Sequence, residues 1–188
     1  LLYPREFHEY DKDGNTIHYS PFNGKIEKGK MYTDNGFWDT FRAVHPFFNL
    51  FFPEVSEGIM EGLANTYKEG GWLPEWASPG YLGNCMIGSN STSLIASAYL
   101  SGIKMDKGLL WEATYKNAFN AHPTYPAVGR SGIDEYHKFG YIPNDIGLKE
   151  SAARTLEYCY ADFCMLKFGI ALGKDKKVTD VFSERSLY

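Results

Sequence analysis

Phe37-Trp38-Asp39-Thr40-Phe41-Arg42-Ala43-Val44-His45-Pro46-Phe47-Phe48-Asn49-Leu50-Phe51-Phe52-Pro53 is the stretch on which the fold turns. Phe37, Phe41, Val44, Phe48 and Phe51 recur at i, i+4, i+7, i+11 and i+14, the spacing of one helical face. Pro46 marks a kink or a break in that helix, because its ring removes a backbone donor and crowds the preceding turn. Pro53 opens a second helix, at a position where the missing N–H is not needed. Val55, Ile59, Leu63 and Tyr67 line one face of this second helix, and Gly70-Gly71 stop it. Two helices joined by so few residues form an αα-hairpin.

Working outward, the same arrangement recurs twice. A helix carrying Ile87, Leu94, Ile95 and Ala98 ends at Gly102, and its partner is capped by Asp106 and runs to about Ala121. A longer helix, capped by Asp145, places Ala152, Leu156, Cys159, Phe163, Leu166 and Ile170 on one face and closes at Gly173. Its partner fills Lys174 to Leu187. Upstream, residues 1–36 carry turn chemistry at Asp11-Lys12-Asp13-Gly14-Asn15, read as a β-hairpin followed by a Gly/Pro/Lys-rich connector from Ser20 to Lys30. The hairpins begin near residues 37, 87 and 147, too far apart and too irregularly for tetratricopeptide or ankyrin repeats, so a toroid of helical hairpins is the architecture expected.

Composition agrees with one packed domain. The 188 residues are 44% hydrophobic and 22% charged, which excludes a disordered chain. A net charge of −4 without a basic run argues against a nucleic-acid partner, and no apolar run approaches a membrane span. Cys85, Cys159 and Cys164 are too few for a disulfide framework and are expected as buried thiols. The opening Leu1-Leu2-Tyr3-Pro4, with neither an initiator Met nor a basic leader head, reads as a fragment edge.

Connection lengths locate the functional end. Within each hairpin the link is short, whereas long segments precede the first, second and third hairpins; antiparallel alternation puts all three at one rim. The first rim segment, Tyr32 to Thr40, carries Asp34, Asn35, Trp38 and Asp39. Asp34 or Asn35 suits helix capping, and Asp39 suits the first helical turn, but Trp38 has no capping role. The second runs from Gly71 to Tyr81, followed by Asn84; Trp72, Glu75 and Trp76, stiffened by Pro74 and Pro79, resemble a sugar platform, the alternative being a packed loop with Glu75 exposed. The third, Tyr125 through Arg130 to Asp134-Glu135-Tyr136-His137, reads as a solvated loop. The five histidines show no metal-ligand spacing, and His45 is expected to pack or bond locally. A Gly-x-Ser-x-Gly elbow is absent.

Met31 to Arg42 resembles glycoside hydrolase family 92, the calcium-dependent, exo-acting α-mannosidases. The resemblance continues through Gly71-Trp72-Leu73-Pro74, Gly83-Asn84-Cys85-Met86-Ile87-Gly88 and Ser151-Ala152-Ala153-Arg154-Thr155-Leu156-Glu157-Tyr158 to Asp162. It implies a mainly α chain, about half of an (α/α)6 toroid over residues 37–188, with residues 1–36 as a β-hairpin and connector following a β-sandwich. The implied activity is inverting hydrolysis of terminal α-linked mannose, with α-1,2 linkages as the expected substrate, in the periplasm or outside the cell. Trp38 and Asp39 would contact the terminal mannose, while the general acid and the general base would lie beyond residue 188 and the calcium ligands outside this chain. From the loop itself, Trp72, Glu75, Trp76 and Asn84 are added as substrate-binding candidates. Two positions depart from the family pattern: Ser89-Asn90, where a His is frequent, and Ser97, where Asp is. The chain alone is thus expected to be inactive and to self-associate. A non-catalytic helical carbohydrate-binding or interaction domain is the alternative.

Overall fold

The computed structural model describes residues 4–78, 82–83 and 85–188. Among the described residues seven short strands border the helices. β1 (Arg5–Glu6) pairs antiparallel with β5 (Tyr32–Thr33), and β2 (Glu9–Tyr10), β3 (Thr16–Tyr19) and β4 (Ile26–Lys28) form an antiparallel meander. The expected hairpin is present, but the expected connector supplies its third strand. The meander is tied to the helices by His18, whose ring nitrogens bond Gly29 O and Glu69 Oε1, both at 2.9 Å. β6 (Asn35–Gly36) pairs with β7 (Trp76–Ala77), which joins the first rim segment to the second.

The helices form two layers. α1 (Phe37–Thr40), α2 (Val44–Phe51), α4 (Asn90–Leu100) and α7 (Ser151–Ala171) make the inner one; α3 (Pro53–Gly70), α5 (Lys107–Phe119) and α8 (Lys176–Arg185) make the outer one. α4 is buried almost all round, as its run of Ser, Thr and Ala allows neighbours to approach from several sides. The core gathers Phe37, Phe48, Leu63, Ile95, Leu110, Met165, Phe168 and Phe182. α3 keeps its predicted bounds, and Asp106 caps α5 by accepting from Leu109 N at 3.1 Å.

Several expectations need correction. The break in the first helix falls at residues 41–43, and Pro46 lies inside the first turn of α2, where no backbone donor is lost. Residues 122–144 contain a further helix, α6 (Ile133–Phe139), set between left-handed glycines Gly132 and Gly140. Asp145 does not cap α7; the helix starts six residues later, after Glu150 in a left-handed conformation. On α7 the predicted face is largely outward: Leu156 is 68% and Ile170 59% exposed, and Phe163 is also exposed. The packed face is instead Tyr158, Ala161, Asp162, Met165 and Phe168. Cys159 and Cys164 are buried, whereas Cys85 is exposed.

Candidate functional site

The rim is assembled from backbone first. Gly36 and Trp76 are cross-strand partners, and Phe37 N donates to Glu75 O at 3.1 Å, so the start of α1 is bonded to the Trp72–Trp76 loop. A Cβ on Gly36 would stand 2.6 Å from the Trp76 ring, and one on Gly83 2.4 Å from Trp76 Cβ. Glycine at position 36 makes room for the Trp76 indole, and glycine at position 83 lets the chain pass close to the Trp76 backbone.

Neither Asp34 nor Asn35 caps α1, whose N-cap is Gly36. Asp34, in a left-handed conformation, pairs with Arg5. Asn35 is buried and divides its amide: Oδ1 accepts from Thr40 Oγ1 at 2.8 Å, and Nδ2 donates to His45 Nε2 at 3.1 Å. Burial holds His45 near a pKa of about 3, so its ring is neutral and accepts from Asn35. Asp39 is exposed, with no hydrogen bond or ion pair among the described residues.

Trp38 is half-buried, and its Nε1 donates to Glu157 Oε1 at 3.1 Å. Arg42 Nη2 reaches the same oxygen at 3.5 Å, and the guanidinium lies 4.8 Å from the Trp38 ring and 4.7 Å from that of Phe41. An open cleft lined by Phe41, Arg42, Leu156, Glu157 and Tyr160 runs beside this cluster. Sequence reasoning did not single out Glu157 or Arg42 as site residues. The available signal was a carboxylate set between Leu156 and Tyr158 on α7.

Glu75 is not an exposed loop residue. It is buried, with Oε2 accepting from the backbone N–H groups of Asn90 (2.7 Å) and Ser91 (3.3 Å) and Oε1 accepting from Ser91 Oγ (2.7 Å). It caps α4 from fifteen residues upstream in place of Ser89, which makes no side-chain cap. Burial pushes its carboxyl up to about 8, against the lowering effect of these bonds.

Trp72 leaves this cluster. Lys116 Nζ sits 4.4 Å from its ring and donates to Gly71 O at 2.8 Å, while His122 packs on it at 5.0 Å and stacks in turn on Tyr125. Asn84, with Pro79, Gly80 and Tyr81, lies outside the described residues. The third segment is not a solvated loop. Arg130 and Tyr136 are fully buried, and Asp162 accepts from Arg130 Nη1 (2.7 Å), Arg185 Nε (2.8 Å) and Tyr136 OH (3.1 Å).

The structure therefore brings Trp38, Asp39, Glu75 and Trp76 to one end of the inner layer and sends Trp72 to its margin. Among the described residues no three His, Cys, Asp or Glu side chains converge where a cation could sit. These residues do not fit a calcium site.

Fold and rim together define a class: a two-layered array of helical hairpins with an aromatic and acidic rim where the inner helices begin. The glycosyl hydrolase family 92 catalytic domain matches this chain over residues 1–188, and the chain belongs to that family. It is similar to the family GH92 inverting mannosidase BT2199 of Bacteroides thetaiotaomicron VPI-5482, with 47% identity and a TM-score of 0.94 over 99% of this chain and 25% of that one. It is similar also to the family GH92 α-mannosidase BT3965 of the same species, solved in complex with mannoimidazole, at 33% identity and a TM-score of 0.84 over 99% of this chain and 23% of that one. An uncharacterized secreted glycosidase of Arthroderma benhamiae is 32% identical over 151 residues, 76% of this chain and 18% of the relative. The chain thus spans a quarter or less of these proteins.

Proposed function

We propose that this chain is part of the catalytic domain of an exo-acting, inverting α-mannosidase that removes terminal mannose, α-1,2-linked in its preferred substrates, from glycans outside the cytoplasm. The observation that carries this reading is the likeness to an inverting mannosidase over nearly the whole chain. The secreted description of the fungal relative supports the location, and no helix among the described residues is long and apolar enough to cross a membrane.

In this reading residues 1–36 connect to a preceding β-sandwich, and residues 37–188 build the first half of the toroid. Trp38 offers its ring to the apolar face of the sugar, and Asp39, exposed beside it, accepts from two hydroxyls. Inversion requires an acid and a base about 6.5–9.5 Å apart with a water between them. Glu75 is committed to α4 and Glu157 to Trp38, so we assign that pair, like the calcium ligands, to residues beyond this chain. The test uses the whole protein with calcium on α-1,2-, α-1,3- and α-1,6-linked mannobiose, following the anomer by proton NMR. β-Mannose should appear first, fastest from the α-1,2 substrate. No release of mannose, or α-mannose first, would overturn the reading.

A further inference from the structure

Glu157, in the second turn of α7, meets both α1 and the loop that leads into α4. It accepts from Trp38 on α1 and from Arg42 just after it. It also lies against Gly88, in the loop before α4, where an added Cβ would stand 3.2 Å from Glu157 Cβ and 3.3 Å from Oε2. Its carboxylate is only 18% exposed although it borders the open cleft.

For an indole ring packed on one side by a guanidinium, a hydrogen bond from the N–H adds a directional restraint on the ring plane. The acceptor for that N–H is Oε1 of Glu157, and Arg42 is held over the ring by the same oxygen. From this we infer that Glu157 is a positioning residue for the sugar site. It acts through Trp38, fixing the plane on which the terminal sugar stacks, and it touches neither the sugar nor the reacting atoms. The inference rests on the proposed function, since it concerns the same rim.

A stacking platform binds ground state and transition state alike, so its misalignment should raise KM and leave kcat nearly unchanged. In the whole protein, Glu157→Ala should raise KM for an aryl α-mannoside by about tenfold with kcat altered less than about threefold. Glu157→Gln, whose amide oxygen still accepts from the indole, should recover most of that loss. Trp38→Phe has no N–H to hold, so Glu157→Ala added to it should change KM by less than about twofold. If Glu157→Ala does not fold, Glu157→Asp keeps the charge but withdraws the acceptor by one methylene, and the same KM rise is expected. Unchanged KM in the folded variants, or full additivity with Trp38→Phe, would overturn the positioning role while the mannosidase reading stood. A wild-type protein without activity on any α-mannoside would overturn that reading and this inference with it.

Discussion

Two carboxylates at one rim divide their duties by burial. Asp39 is exposed and α1 is a single turn, so the helix terminus gains little from it, and we propose that it serves a ligand instead. Asp39→Ala in the whole protein should lower kcat/KM for terminal mannosides by about tenfold or more, the loss of hydrogen bonds to a charged acceptor, and leave the melting temperature in place. A lowered melting temperature with kcat/KM spared would assign Asp39 to the fold. Glu75 is the opposite case. Its carboxyl is held up to about 8 by burial, against an ordinary 4.5 in the unfolded chain, so between these values folding takes up a proton. The stability this contributes is complete below the unfolded value and is lost as pH rises through the folded one. Glu75→Gln keeps an acceptor for the α4 amides and cannot ionise; melting temperatures followed from about pH 5 to about pH 8 should fall more steeply for the wild type than for Glu75→Gln. Equal slopes would remove Glu75 as the source.

At the level of the element, α7 is decided by a buried ion cluster. Asp162 is fully buried between Arg130 and Arg185, with the Tyr136 phenol as a third donor; burial and the adjacent Asp162 raise that phenol well above its usual pKa. Removing the carboxylate would leave two guanidinium groups buried without a counter-ion. Asp162→Ala should therefore destabilise the domain by about 3–5 kcal/mol, read by chemical denaturation; a change within about 1 kcal/mol would show that solvent reaches the cluster. The cluster also explains why the wrong face of α7 was chosen from sequence. Leu156, Phe163 and Ile170 form an unbroken apolar stripe, whereas the packed face is interrupted by Arg154 and Asp162. Periodicity alone favours the uninterrupted stripe.

At the scale of the molecule, both flanks of the inner layer are apolar and uncovered. On α2 and just after it, Phe47, Leu50, Phe51 and Phe52 are exposed, Leu50 by 72%; on α7 the stripe includes Leu156, Tyr160, Phe163 and Ile170. An inner helix of a closed ring has neighbours on both sides, and we propose that further hairpins cover these flanks in the complete protein. Leaving on the order of 500 Å² of such surface in water forgoes roughly 12 kcal/mol, comparable with a whole domain's stability of about 5–15 kcal/mol. Residues 1–188 produced alone should self-associate, as light scattering behind size exclusion would show. A monomer with a sharp transition at high temperature would contradict this. Assayed with calcium, the same preparation should lack mannosidase turnover, because acid and base assistance are each worth about 10²–10⁴-fold in rate.

The bounds of α3, the Asp106 cap on α5 and the three-hairpin plan were legible in sequence, since periodicity, proline and glycine act within a few residues of where they stand. The meeting of the first two rim segments was legible too, because alternating link lengths place those loops at one end, where β6 pairs with β7. What Trp38 and Glu75 bond to was settled by partners far away in the chain. The donors capped by Glu75 lie fifteen and sixteen residues downstream, the acceptor for Trp38 lies 119 residues away, and Asp162 joins one arginine from the segment before α6 and one from α8. Local pattern carries no record of such pairings. Burial of a charge depends on what closes over it, and that is decided only when the layers pack.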